Sequence, residues 1–206
     1  MSLFTIDGLS KYLETPQNLV IIPHQNPDGD ALGSCLGWAH LMKKLGHTAT
    51  VCSPNAFPDF LGWMPGAKEI LLADQNLENC KKAIDSASLI CTLDFNHLSR
   101  CGVLVEFIEN SSAPILMVDH HISPSDYAKY TFSDTSMSST CEMIYHLAKH
   151  LNCTNHIDST IANCLYTGIV TDTGNFQYPS ASATTLLIAA DLLDKGADNS
   201  LIRPFF

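Results

Sequence analysis

Apolar positions along this chain fall into short, β-branched runs separated by longer stretches at helical spacing. Leu19, Val20, Ile21 and Ile22 belong to the first run, near 19–23. Similar runs recur near 48–52, 88–93 and 114–118, with a weaker one near 69–72. Between them, helical patterns cover 5–14, 31–45, 76–86 and 98–109. After residue 137 the strand signals fade, and stretches near 139–151, 157–170 and 182–195 read as helices, the last stopped by Gly196. Strands alternating with helices predict βαβ units, hence an α/β fold: a mostly parallel sheet flanked by helices, with a helical C-terminal portion.

Length and composition narrow the class. With 206 residues, 46% of them hydrophobic, the chain can bury a large core. Neither a repeat nor a low-complexity tract interrupts it, and the most loop-like stretch, 53–58, is too short for a domain linker. The first fifteen residues mix Asp7, Lys11 and Glu14 into apolar positions, so no signal peptide is expected. No stretch approaches the roughly 18 unbroken apolar residues of a membrane span, and a cytoplasmic location is expected. The eight cysteines show no zinc-knuckle or redox spacing, which predicts reduced, buried thiols. A formal net charge of −10 argues against a clamp on long nucleic acid, since such affinity comes largely from Lys and Arg on phosphates. Carboxylates gathered around cations would add to that bare negative charge.

Candidate chemistry begins where the first run ends, with His24, Gln25, Asn26, Pro27, Asp28, Gly29 and Asp30. One imidazole and two carboxylates on a Pro/Gly turn suit a divalent metal. Turn chemistry and helix capping by Asp30 account for everything except the histidine. An EF-hand loop does not fit, because Gly37 would stand where its bidentate Glu belongs.

In open α/β sheets, ligands gather beyond the carboxyl ends of the strands. There this chain delivers Asp94 after the third main run, and Asp119, His120 and His121 after the fourth. The 157–170 helix runs into Thr171, Asp172, Thr173 and Gly174. Together the four stations favour a two-metal site far more than any one does. Two other patterns weigh less. Asp172-Thr173-Gly174 matches the aspartic protease triplet but has no second copy in the chain. Glu142, His146 and His150 share one helical face, best read as a solvated stripe without a metalloprotease arrangement. Ser138, Ser139 and Thr140 open a helix whose N-terminus suits either capping or an anion.

The stations, taken in order, resemble the motifs of the DHH phosphoesterase superfamily, named for the triplet found here as Asp119, His120 and His121. The Thr-Asp-Thr-Gly form of the last motif is most similar to the bacterial nanoRNase group of oligoribonucleases and phosphoadenosine phosphate phosphatases. The resemblance implies two divalent ions, Mn²⁺ before Mg²⁺, about 3.5 to 4 Å apart as in other two-metal phosphoryl sites. One would be held by His24, Asp28 and Asp94. The other would be held by Asp30, Asp94, His120 and Asp172, with Asp94 bridging. His121 would face the substrate phosphate, and Asp119 would orient a ligand histidine. A mixed imidazole and carboxylate donor set suits these metals better than structural zinc.

Asn26, His97 and Arg100 are the candidate substrate contacts. Gly29 is expected to let Asp28 and Asp30 face different ions. The implied activity is phosphoester hydrolysis of short oligonucleotides or nucleoside 3′,5′-bisphosphates. The alternatives are a pyrophosphatase or exopolyphosphatase, and a non-catalytic nucleotide-binding module. A homodimer is compatible with the resemblance. The resemblance makes 1–196 the catalytic domain and 197–206 the start of a linker or helix towards a second, substrate-gripping domain. Leu201, Ile202, Pro204, Phe205 and Phe206 begin a further apolar segment there, and no Gly-Gly pair marks that domain's glycine-rich motif.

Overall fold

The computed structural model describes residues 2–202. A seven-stranded sheet forms its centre, in the order β1-β7-β6-β5-β2-β3-β4. β2 (Asn18–Pro23), β3 (Thr48–Ser53), β4 (Leu71–Leu72), β5 (Leu89–Leu93), β6 (Ile115–Asp119) and β7 (Tyr130–Asp134) run parallel. β1 (Ser2–Thr5) closes one edge antiparallel to β7, with Ser2 opposite Asp134.

Side chains of the central strands alternate between two buried clusters, as the pleat requires. Leu19 and Ile21 face one cluster, with α1 (Leu9–Tyr12), α2 (Gly29–Lys44), α5 (Thr140–His150), α6 (Ser159–Asp172) and α7 (Ala183–Asp194). Val20 and Ile22 face the other, with α3 (Ala73–Ser86), broken at Asn76, and α4 (Val105–Glu109). The fold is thus the expected parallel α/β architecture with helices on both faces and a helical C-terminal portion.

Three local readings differ from expectation. The 5–14 helix shrinks to α1, because its start is taken by β1 and by Gly8 in the left-handed region at φ 82°. The 98–109 helix splits into a 3-10 turn over Leu98–Leu104 and α4, because Gly102 has φ 55° and ψ −128°. β7 was not anticipated at all.

α2 lies flush against α6 because a glycine stripe removes the side chains between them. A Cβ on Gly29 would sit 2.5 Å from Thr171 Oγ1, one on Gly33 2.5 Å from the Cys164 carbonyl oxygen, and one on Gly37 2.7 Å from Leu165 Cδ2. From the other side, a Cβ on Gly168 would collide with Cys141 Sγ and lie 2.8 Å from Asp30 Oδ1. This close approach sets the first turn of α2 beside the last turn of α6. Gly29 therefore serves helix packing; its φ is not positive, and it does not act as a swivel between two carboxylates.

The described part of the last segment, 197–202, packs against the domain. Ala197 and Ile202 pack into the larger cluster, and the Asp198 amide donates to Asn163 Oδ1 at 2.8 Å. Pro204, Phe205 and Phe206 lie outside the described residues. All eight cysteines are buried free thiols. No helix among the described residues is long and apolar enough to cross a membrane.

Candidate metal centre

The parallel strands β2, β5 and β6 all end at the same edge, and each delivers acidic or imidazole groups just beyond it. After β2, the chain turns through Asn26 at φ 55° into Asp28, which caps α2 by accepting from the Asp30 and Ala31 amides at 3.0 Å. After β5, Asp94 stands at φ 68°, a conformation uncommon for a residue with a Cβ. β6 ends in Asp119 and leads into His120 and His121. Asp172 arrives from elsewhere, as the last residue of α6.

Asp94 is the hub. Its Oδ2 lies 3.5 Å from His24 Nε2, and its Oδ1 lies 3.5 Å from His120 Nε2 and 3.9 Å from His121 Nδ1. Beyond His24 stands Asp28, with Oδ2 at 4.0 Å from the same nitrogen. Beyond His120 stand Asp172 Oδ2 at 3.5 Å and Asp30 Oδ2 at 3.9 Å. The structure thus brings His24, Asp28, Asp30, Asp94, His120 and Asp172 together in two adjacent groups: His24, Asp28 and Asp94; and Asp30, His120 and Asp172. Within each group, ligand-type atoms lie within 4.8 Å of one another. Asp94, His120 and His121 form a third such group.

Hydrogen bonds from behind hold the carboxylates. Both oxygens of Asp30 accept from the first amides of α5, Oδ2 from Thr140 at 2.6 Å and Oδ1 from Cys141 at 2.8 Å. The anion at this helix N-terminus is therefore an internal one, and Ser139 caps the same helix by accepting from the Glu142 amide. The Thr140 hydroxyl donates to Asp94 Oδ1 at 2.8 Å. His24 and His120 each place Nδ1 near a backbone carbonyl, Gln25 at 2.8 Å and Met137 at 3.3 Å, leaving Nε2 for the centre.

Asp119 is fully buried and pairs with His121, not with His120. Its Oδ1 meets His121 Nδ1 at 2.6 Å, and its Oδ2 accepts the His121 amide at 3.0 Å. The expected orienting role falls on the histidine assigned to substrate.

The electrostatics are those of crowded acids. Burial, then the neighbouring Asp94 and Asp172 carboxylates, push Asp30 well above the usual carboxylate range. Burial raises Asp172 to about 6, with His120 opposing the shift and Asp94 reinforcing it. Burial also acts against ionised Asp94, but hydrogen bonding to His24 and the charge of His120 outweigh it and hold the group low. Among the described residues, the ion pairs made by Asp28, Asp30, Asp94 and Asp172 are all to histidine. A nest of carboxylates, with Asp30 and Asp94 buried and Asp28 and Asp172 nearer the surface, rimmed by imidazole nitrogens, fits divalent cations.

The candidate substrate contacts lie at the rim. Asn26 is tied to Asn55 in both directions, through its amide N at 2.8 Å and its Oδ1 at 2.9 Å. His97 Nδ1 faces Ser99 Oγ at 3.0 Å, capping the 3-10 turn. Arg100 is exposed; its carbonyl accepts the Gln25 amide at 2.7 Å, and its charge bears on His121. Glu142 corrects the stripe reading. It is buried, accepts from the Ser138 amide and hydroxyl and from Thr185 Oγ1, and sits 3.7 Å from His146, while His150 is exposed and meets Phe4 edge-on. Sequence reasoning missed Thr140 as a contact to two acidic residues; the Ser-x-x-Glu spacing from Ser139 to Glu142 marked the helix start that places it.

Comparison with known proteins identifies the family. The model of the "DHH family, N-terminal domain" matches residues 18–169. The "Bifunctional oligoribonuclease and PAP phosphatase NrnA" of Thermus thermophilus is 33% identical over 188 residues, covering 90% of this chain and 52% of that protein. The chain thus spans about half the length of this curated relative. A crystal structure of an exopolyphosphatase-related protein from Bacteroides fragilis superimposes with a TM-score of 0.94 at 39% identity, covering 98% of this chain and 60% of that one. Exonuclease RecJ bound to manganese shares the fold at a TM-score of 0.54 and 14% identity, over 94% of this chain and 48% of that one. With the family model spanning three of its four motif stations and most of its sheet, this chain belongs to the DHH family.

Proposed function

We propose that this chain is the catalytic domain of a metal-dependent phosphoesterase that hydrolyses short oligonucleotides, nucleoside 3′,5′-bisphosphates, or both. The observation that carries the reading is the division of Asp94, whose two oxygens face opposite groups of ligand-type side chains. His24, Asp28 and Asp94 would hold one divalent ion, and Asp30, Asp94, His120 and Asp172 the second. Mn²⁺ is favoured by the donor set and by the manganese-bound fold neighbour, with Mg²⁺ second. When bound, two such ions supply Lewis-acid charge to phosphoryl oxygens and to the attacking water.

The chain's own residues supply the remainder. His121, held at Nδ1 by Asp119, leaves Nε2 to meet the substrate phosphate, and its hydrogen bond to Asp119 raises its pKa so that it carries a proton at higher pH than a free imidazole. The Arg100 charge bears on His121 and offers a cation to a second phosphate oxygen. Asn26 and His97 contribute by shaping the turns on which the centre rests. The substrate reading draws on the activities in the name of the Thermus relative, and residues 1–196 would form the catalytic half of such a protein. A short substrate suits the acidic chain, and an intracellular nucleotide pool is the natural source.

The exopolyphosphatase-related description of the Bacteroides neighbour favours a second reading, cleavage of pyrophosphate or polyphosphate. Release assays with Mn²⁺ on a dinucleotide, an adenosine 3′,5′-bisphosphate and pyrophosphate separate the two, and preference for pyrophosphate would sink the first. Asp94→Ala should abolish release from all three; retained activity would overturn the two-ion reading, and a wild-type chain that releases nothing from any of them would be a nucleotide-binding module.

A further inference from the structure

Thr140 is fully buried and is the first residue of α5. It touches two carboxylates that reach the centre from different strand ends. Its amide donates to Asp30 Oδ2 at 2.6 Å, and its hydroxyl donates to Asp94 Oδ1 at 2.8 Å. The backbone of this turn has its own anchor, since Glu142 holds the Ser138 amide and hydroxyl and reaches Thr185 of α7 at 2.9 Å. The two hydrogen bonds of Thr140 therefore separate cleanly. A side-chain substitution removes the one to Asp94 and leaves the one to Asp30.

The terminal torsion of an aspartate is broad, so its own rotamer preferences leave the carboxylate plane loosely fixed. In Asp94 that plane decides which oxygen faces which group. Oδ2 looks towards His24 at 3.5 Å, while Oδ1 looks towards His120 at 3.5 Å and carries the Thr140 hydroxyl. The hydroxyl makes the two oxygens inequivalent and opposes rotation of the group towards either side alone. A β-branched side chain is stiff at χ1, so the donor itself is held in place.

We propose that Thr140 is a positioning residue that fixes the Asp94 carboxylate so that one oxygen serves each half of the centre. The inference rests on the two-ion reading above. It assigns to Thr140 an effect on metal affinity, of the size that supporting hydrogen bonds have elsewhere: about 10- to 100-fold.

The test is calorimetric titration of Mn²⁺ into the wild-type chain and into Thr140→Val, Thr140→Ala and Thr140→Ser, with thermal melting of each metal-free protein. Valine keeps the shape and removes the donor; serine keeps the donor. Expected is a metal-free melting temperature for Thr140→Val close to wild type, Mn²⁺ binding weakened about 10- to 100-fold, and recovery of affinity in Thr140→Ser. Should Thr140→Val not fold, Thr140→Ala against Thr140→Ser makes the same comparison. Wild-type affinity in the variants lacking the hydroxyl overturns the proposal, as does a serine variant as weak as they are. If the wild-type chain takes up no Mn²⁺, the two-ion reading itself has failed, a result distinct from two ions bound equally well with and without the hydroxyl.

Discussion

Asp119 and His121 face each other across a 2.6 Å hydrogen bond, and the same carboxylate also accepts the His121 amide. The pair is asymmetric: the acid is fully buried, while the imidazole is about a third exposed, at 36%. Asp119 raises the His121 pKa first, burial lowers it, and the net shift is upward. If protonated His121 meets the phosphate, kcat/KM should fall as pH rises through that raised pKa. Asp119→Asn removes the charge, so the alkaline fall should begin at lower pH. An unchanged profile would remove His121 from the reaction.

A second pH dependence has its origin in crowding. Asp172 titrates at about 6 and Asp30 is also raised, whereas unfolded aspartates titrate near about 3.9. A raised carboxylate favours the folded state only while protonated. The metal-free chain should therefore lose melting temperature between about pH 4 and pH 7. Mn²⁺ needs the ionised groups, so its stabilising effect should grow over the same window. Asp172→Asn should flatten both trends; melting curves with and without Mn²⁺ measure them.

The glycine stripe predicts two distinguishable lesions. Gly33→Ala places a Cβ 2.5 Å from the backbone oxygen of Cys164, which cannot rotate away, and should cost about 1–3 kcal/mol in urea unfolding. Gly168→Ala places its Cβ against Cys141 Sγ and 2.8 Å from Asp30 Oδ1, so it should weaken Mn²⁺ binding as well as the fold. Equal metal affinity in the two variants would contradict this placement.

Glu142 behaves in the opposite sense to Asp172. Burial acts to raise its pKa, but His146 and the Ser138 and Thr185 donors outweigh burial and the pKa is lowered. Its contribution is present above the unfolded value near about 4.3 and is lost as pH falls through the depressed folded value. Glu142→Gln exchanges an acceptor for a donor against these groups and should cost about 1–3 kcal/mol by urea denaturation.

Much of this was legible in the chain. The central strands announced themselves through runs such as Leu19 to Ile22, buried on both faces as parallel strands require. The ligand-type residues were legible because such sheets collect them at one edge. β7 escaped because Tyr130, Thr131, Phe132, Ser133 and Asp134 alternate weakly, with Thr131 and Asp134 only half-buried. β1 is too short for periodicity to register. Thr140 looked like capping chemistry, and only the tertiary placement of Asp30 and Asp94 gives it another role. Glu142 looked solvated, since helical spacing shows which residues share a face and not whether α7 covers it.

The pairing of β1 with β7 has a consequence for synthesis. Ser2 and Thr5 are synthesised before Asp134 and Thr131, their partners, which emerge only after β2, β3, β5 and β6 have been made. Until then β1 has no strand partner for Phe4 to pack on, the residue that in the finished sheet lies edge-on to Phe132 at 5.0 Å. β1 is thus made before its partner and docks after it, leaving a chain stalled between the two with an unpaired strand edge that chaperones can seize.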